Sequence, residues 1–173
     1  MKTKTQKIAL IGVLSAQALA LAFLENLLPA LPFLPPGVKL GLSNIVTMFC
    51  AGSLGFAPAF FVTVIKSLFV FLTRGATAFF MSLGGGLLST LAMCLMVKSV
   101  KNKSGYIGVA VVSAICHNLG QLAVSIIITK TTAMISYAPV LLISAVVMGF
   151  ITGTVLKFVM PLLIKQSKYF KCL

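Results

Sequence analysis

Charge is so sparse in this sequence, and so placed, that the chain divides itself into long uncharged stretches. Ile8 to Leu28 holds one formal charge, Glu25, near its end, and Leu40 to Phe56 holds none. Ala57 to Thr73 holds only Lys66, and Ala76 to Val97 holds none. Tyr106 to Thr129 has a single His117, and Pro139 to Ile164 has Lys157 close to its end. A helix needs about 20 apolar residues to cross the hydrocarbon core, with a range of about 17–25. The spacing therefore predicts spans at 8–28, 40–56, 57–73, 77–97, 106–129 and 139–164, the second and third being short. A soluble domain carries about a quarter charged residues, whereas only 9% of this chain is charged. Lipid is the solvent that such a surface suits.

The apolar runs lack period-2 alternation, which favours helices over a barrel. The expected fold is all-α: one membrane domain over residues 1–173, with loops at Pro29–Gly41, Gly52–Pro58, Arg74–Thr77, Lys98–Gly105 and Lys130–Pro139. Orientation follows from the excess of Lys and Arg in cytoplasmic loops. With six spans, Lys2, Lys4, Lys7, Lys98, Lys101, Lys103, Lys165, Lys168 and Lys171 fall on one side, and Lys39, Arg74 and Lys130 on the other. Both termini are therefore expected in the cytoplasm. The basic start, apolar run and Ala-rich segment near Ala18–Ala22 also resemble a cleavable signal peptide, but its removal would leave five helices and set the two later lysine clusters against an odd topology.

One acid in 173 residues restricts the chemistry. No carboxylate pair can form for acid/base catalysis, and no Asp exists to hold magnesium diphosphate. No Walker motif is present, so coupling to ATP would require other subunits. No enzyme activity and no cofactor are expected. His117 has no second His or Cys at ligand spacing, so no zinc site is expected either. The four cysteines form no CxxC and read as reduced.

Polar residues inside spans are costly and mark function or interhelical glue. Lys66 lies in mid-span, Arg74 two turns further on, and Glu25 and Asn44 at span ends on the same side. His117 and Gln121 share a helical face at i and i+4, beside Asn118. Lys66 either pairs with Glu25 or carbonyls or meets a ligand, and the His117 cluster either bonds helices together or orients a ligand. The candidate pocket set is Glu25, Lys39, Asn44, Lys66, Arg74, His117 and Gln121, with more positive than negative groups. The proline-rich segment Pro29 to Gly37 reads as a semi-rigid cap. Phe60, Phe61, Phe79 and Phe80 line the pocket or face lipid. Gly84–Gly86 either thin a helix for packing or bend it, and Gly149 and Gly153 form a packing seam. Gly12, Ala16 and Ala20 make a small-residue stripe that either packs inside the bundle or receives a partner subunit.

Glu25 with Pro29, PPGVKLGLSNIVTMF (Pro35 to Phe49), SLGGGLLS, AICHNLGQL (Ala114 to Leu122) and GFITG (Gly149 to Gly153) resemble the Gx transporter family. That family is also labelled heptaprenyl diphosphate synthase component I. The resemblance runs from about residue 8 to about 160, with Ser43 where Ala is expected and Lys66 where Arg is expected. It implies kinship with the S components of energy-coupling factor (ECF) transporters: six-helix proteins of the bacterial cytoplasmic membrane that bind a small molecule from outside. These dock on a transmembrane scaffold joined to two ATPase subunits, through an AxxxA stripe on the first helix that Ala16 and Ala20 match. The expected partners are that scaffold, the ATPases, a small ligand and the bilayer, with no nucleic acid. The alternatives are a non-catalytic membrane subunit of a flavin or quinone electron-transfer system, or of isoprenoid quinone synthesis.

Overall fold

The computed structural model describes residues 4–27, 41–97 and 105–172, with side chains as far as 161. Six α-helices form: α1 (Lys4–Leu27), α2 (Leu42–Ser53), α3 (Phe56–Arg74), α4 (Ala76–Val97), α5 (Gly105–Thr129) and α6 (Ala138–Cys172). The described residues contain no strand. All except α2 are long and apolar enough to cross a membrane, and the chain is a multi-pass membrane protein. The proline-rich cap, Lys39 and the Lys98–Lys103 cluster lie outside the described residues, as do the side chains of Lys165, Lys168 and Lys171.

The expected second span, 40–56, shortens to the 12 residues of α2. At 1.5 Å per residue such a helix rises about 18 Å, well short of a bilayer core of about 30 Å. Within the bundle it is a buried strut. Ile45 through Ala51 are all buried, because α2 packs against α1, α3, α4 and α6. A helix that is apolar all round belongs in such a place.

The turns follow the breaker residues. α3 passes to α4 through Gly75 alone, at φ +85°, a conformation that glycine adopts without strain. The stretch from Lys130 to Pro139, expected as a loop, winds Thr132–Tyr137 into a short 3-10 helix that runs directly into α6.

Close approach, not bending, accounts for the triple glycine, since α4 is continuous across it. A Cβ on Gly85 would lie 2.6 Å from the His117 carbonyl oxygen, and one on Gly120 2.8 Å from the Gly84 oxygen. Gly86 faces α3 in the same way, 2.6 Å from Thr63 Cγ2. Gly149 and Gly153 meet the α5 backbone at Val111 and Ile107, 2.6 and 2.7 Å from each Cα. Small residues thus set α4 against α5 and α5 against α6. The α3–α4 seam adds a hydroxyl ladder: Thr63 Oγ1 lies 2.7 Å from Thr90 Oγ1, and Ser67 Oγ 3.4 Å from Ser82 Oγ.

Candidate functional site

The polar end of α2 is assembled by its neighbours. Gly41 sits at φ +77° and precedes the helix, offering no side chain to cap it. The cap arrives from α1: Leu42 N–H donates to Glu25 Oε1 at 2.6 Å, and the Ser43 hydroxyl lies 3.5 Å from Oε2. A carboxylate at a helix N-terminus gains from both the unsatisfied N–H groups and the helix dipole. The next residue, Asn44, accepts a hydrogen bond at 2.6 Å from the buried ammonium of Lys66 on α3. The segment Gly41–Asn44 therefore ties α1, α2 and α3 together at one end of the bundle.

A cavity of about 570 Å³ opens at that end. Glu25, Asn44, Lys66, Arg74, His117 and Gln121 all line it. Six of the seven side chains singled out from the sequence thus share one wall system, and the seventh, Lys39, is outside the described residues. Arg74 is exposed at the mouth, whereas Lys66 is 6% exposed. Eight residues of α3 separate them, a rise of about 12 Å. Among the described residues, two cations and one carboxylate give the lining a net formal charge of +1, and the carboxylate is held by the N-terminus of α2.

On α5, Gln121 Nε2 and His117 Nε2 lie 3.1 Å apart. Asn118 Nδ2 donates to the Leu141 carbonyl at 2.9 Å, so this residue joins α5 to α6 as well as facing the cavity. Sequence reasoning missed Ser113, buried one turn before His117, and the α6 lining residues Ser144, Met148 and Thr152. A four-residue register would have found both rows: 113, 117, 121 and 144, 148, 152. It also missed the methionines. Five of the chain's eight, Met48, Met81, Met93, Met134 and Met148, line the cavity. Met134 and Tyr137 come from the 3-10 helix, which was expected only as loop. The phenylalanines do not line the cavity: Phe60, Phe61 and Phe80 are exposed on the outer surface, and Phe79 stacks edge-on against Phe71 and Phe80.

The small-residue stripe on α1 points away from the bundle. Gly12, Ala16 and Ala20 are exposed, while Leu14, Ser15, Ala18, Ala22 and Glu25 are buried on the other face. No described atom would lie within 4 Å of a Cβ on Gly12.

The family described as heptaprenyl diphosphate synthase component I matches residues 14–159. The chain belongs to that family. Among solved structures, it resembles the S component of a bacterial ECF transporter, with 19% identity and a TM-score of 0.67 over 97% of this chain and 98% of that one. At this identity the likeness establishes the fold. No curated protein matches the sequence.

Proposed function

We propose that this family member is the substrate-binding component of an ECF-type transporter in the bacterial cytoplasmic membrane. It would take up a small anionic or amphipathic molecule, with ATP hydrolysed on partner subunits. The observation that carries the reading is a cavity of about 570 Å³ among the described residues, open at one end of an S-component-like bundle and lined by buried polar side chains. In a membrane-spanning helix, polar groups gathered round a cavity are costly unless something binds there. The synthase in the family's name finds no support here. The chain has one acidic residue and no Asp, and that residue caps a helix.

In this reading the α2 segment counts as the sixth crossing, so both termini are cytoplasmic and the cavity mouth is external. Glu25, Asn44, Lys66, Arg74, His117 and Gln121 form the substrate site, with Lys39 from the segment before Gly41. The exposed stripe of Gly12, Ala16 and Ala20 receives the transmembrane scaffold, since its small side chains admit another helix closely.

The test is a tagged pull-down from native membranes in mild detergent, with protein identification. Recovery of a transmembrane scaffold with two ATPases, lost in Ala16→Leu plus Ala20→Leu, supports the reading. Recovery of flavoproteins or prenyl transferases without an ATPase transfers the chain to electron transfer or quinone synthesis.

A further inference from the structure

The walls of the cavity differ in chemistry, and the difference restricts what fits. Along α5, Ser113, His117 and Gln121 face it at intervals of four residues, a polar row about 12 Å long. Ser113, a residue only 2% exposed, contributes to this lining and places a hydroxyl in the row. Facing other parts of the space are the thioethers of Met48, Met81 and Met148, on α2, α4 and α6. Methionine makes a polarisable, adaptable surface that packs well on flat conjugated rings. On α3 the wall runs from Lys66 to Arg74, also eight residues and about 12 Å. Glu25 balances one of these cations, which leaves the exposed Arg74 as the excess charge at the mouth.

We propose that the ligand is a flat amphipathic monoanion lying lengthwise in the cavity. Its carbonyl- or hydroxyl-bearing edge meets the Ser113–His117–Gln121 row, its ring faces meet the methionines, and its anionic group meets Arg74. The inference rests on the substrate-binding reading above and specifies its ligand class. Arg74 sets the preference for an anion because a guanidinium holds carboxylate or phosphate by paired hydrogen bonds. Ser113 sets the preference for a polar ring edge. A site built to hydrogen-bond such an edge discriminates strongly against a ring that lacks it.

Three probes separate these contributions: anthraquinone-2-carboxylate, its neutral relative 2-(hydroxymethyl)anthraquinone, and anthracene-2-carboxylate, which lacks the ring carbonyls. Binding is measured by calorimetry on the full chain in phosphatidylcholine nanodiscs, with empty nanodiscs subtracted. The expected result is that the anthraquinone acid binds at least tenfold more tightly than either of the others. Arg74→Gln should remove the preference over the alcohol, with Arg74→Lys restoring part of it. Ser113→Ala should reduce the preference over the anthracene acid while leaving the preference over the alcohol intact. Equal affinity for acid and alcohol, an unchanged preference in Arg74→Gln, or no binding above empty nanodiscs would overturn the proposal. The pull-down from native membranes is scored alongside for the same variants. Retained ATPases with no probe preference defeat the ligand class alone, whereas probe preference with no ATPase defeats the transporter reading alone.

Discussion

Glu25 reached the candidate set as a ligand-binding acid, but its geometry assigns it a second task that can be measured separately. Its carboxylate receives Leu42 N–H at 2.6 Å and has the Ser43 hydroxyl at 3.5 Å. Glu25→Ala leaves Leu42 N–H without its acceptor at the start of a helix whose preceding residue, Gly41, supplies no side-chain cap. Loss of a hydrogen bond to a charged group costs about 1.5–3 kcal/mol. Loss of the favourable charge at the helix N-terminus adds about 0.3–1 kcal/mol. The expected destabilisation is therefore about 2–4 kcal/mol for Glu25→Ala. Glu25→Gln keeps an oxygen acceptor and loses the charge, so about 1–2 kcal/mol is expected. Glu25→Asp should fall near Ala, because a side chain one methylene shorter cannot reach the α2 terminus from the same backbone position.

The assay is thermal unfolding in nanodiscs followed by a thiol-reactive dye, with Cys94, Cys116 and Cys172 replaced by Ala. Cys50 then reports from the middle of α2, where it is fully buried (0% exposed). The dye signal tracks loosening of the helix that Glu25 caps. The order expected is wild type, Gln, then Asp and Ala together. Wild-type stability in Glu25→Ala would refute the capping argument, and equal loss in Gln and Ala would show that the charge, not the acceptor, matters.

Gly85→Ala forces a methyl to within 2.6 Å of the His117 carbonyl oxygen and 2.7 Å of Gln121 Cγ. It should cost about 1–3 kcal/mol in the same unfolding assay, whereas Gly12→Ala, with open space around it, should not destabilise. Thr63→Val and Thr90→Val test the 2.7 Å bond between α3 and α4. A double-mutant cycle should return a coupling of about 0.6 kcal/mol and not more than about 1.7. Lys66→Leu removes a buried ammonium and its bond to Asn44. It should weaken anthraquinone-2-carboxylate binding by calorimetry while the protein still purifies from the membrane, and unchanged affinity would take Lys66 out of the site.

The sequence disclosed the spans better than the walls between them. Five long helices are visible in the spacing of charges because a charge inside the bilayer is expensive, so its absence is a strong signal. The brevity of α2 was hidden, because an apolar run reads the same whether it crosses lipid or lies buried in protein. The cation and amide positions around the cavity stood out as rare residues in apolar segments. Ser113 did not, since serine is common in membrane helices and only its register with His117 and Gln121 sets it apart. The methionines gave no signal either: in a chain 60% hydrophobic, nothing in a thioether's position distinguishes a cavity wall from the lipid face. The phenylalanines show the same ambiguity resolved the other way, since Phe61 and Phe80 are more than half exposed on the outer surface.

The charge balance follows from where the lone acid stands. Had Glu25 faced Arg74 as a surface ion pair, the mouth of the cavity would be neutral and α2 would begin without a cap. Placed on the α2 terminus, the carboxylate satisfies a backbone donor that lipid could not satisfy, and the helix dipole favours its charge there. Lys66 is anchored by the amide of Asn44, so the arrangement holds a cation deep in the bundle and leaves the guanidinium at the mouth unmatched by any acid. Arg74 is exposed, so its pull on an anion is that of a solvent-facing guanidinium, modest in energy and weakened by salt. A second acid near Arg74 would therefore weaken anion binding even if it left every helix in place, and Thr73, exposed beside it, is the position at which Thr73→Glu would cancel the charge without touching the cavity wall.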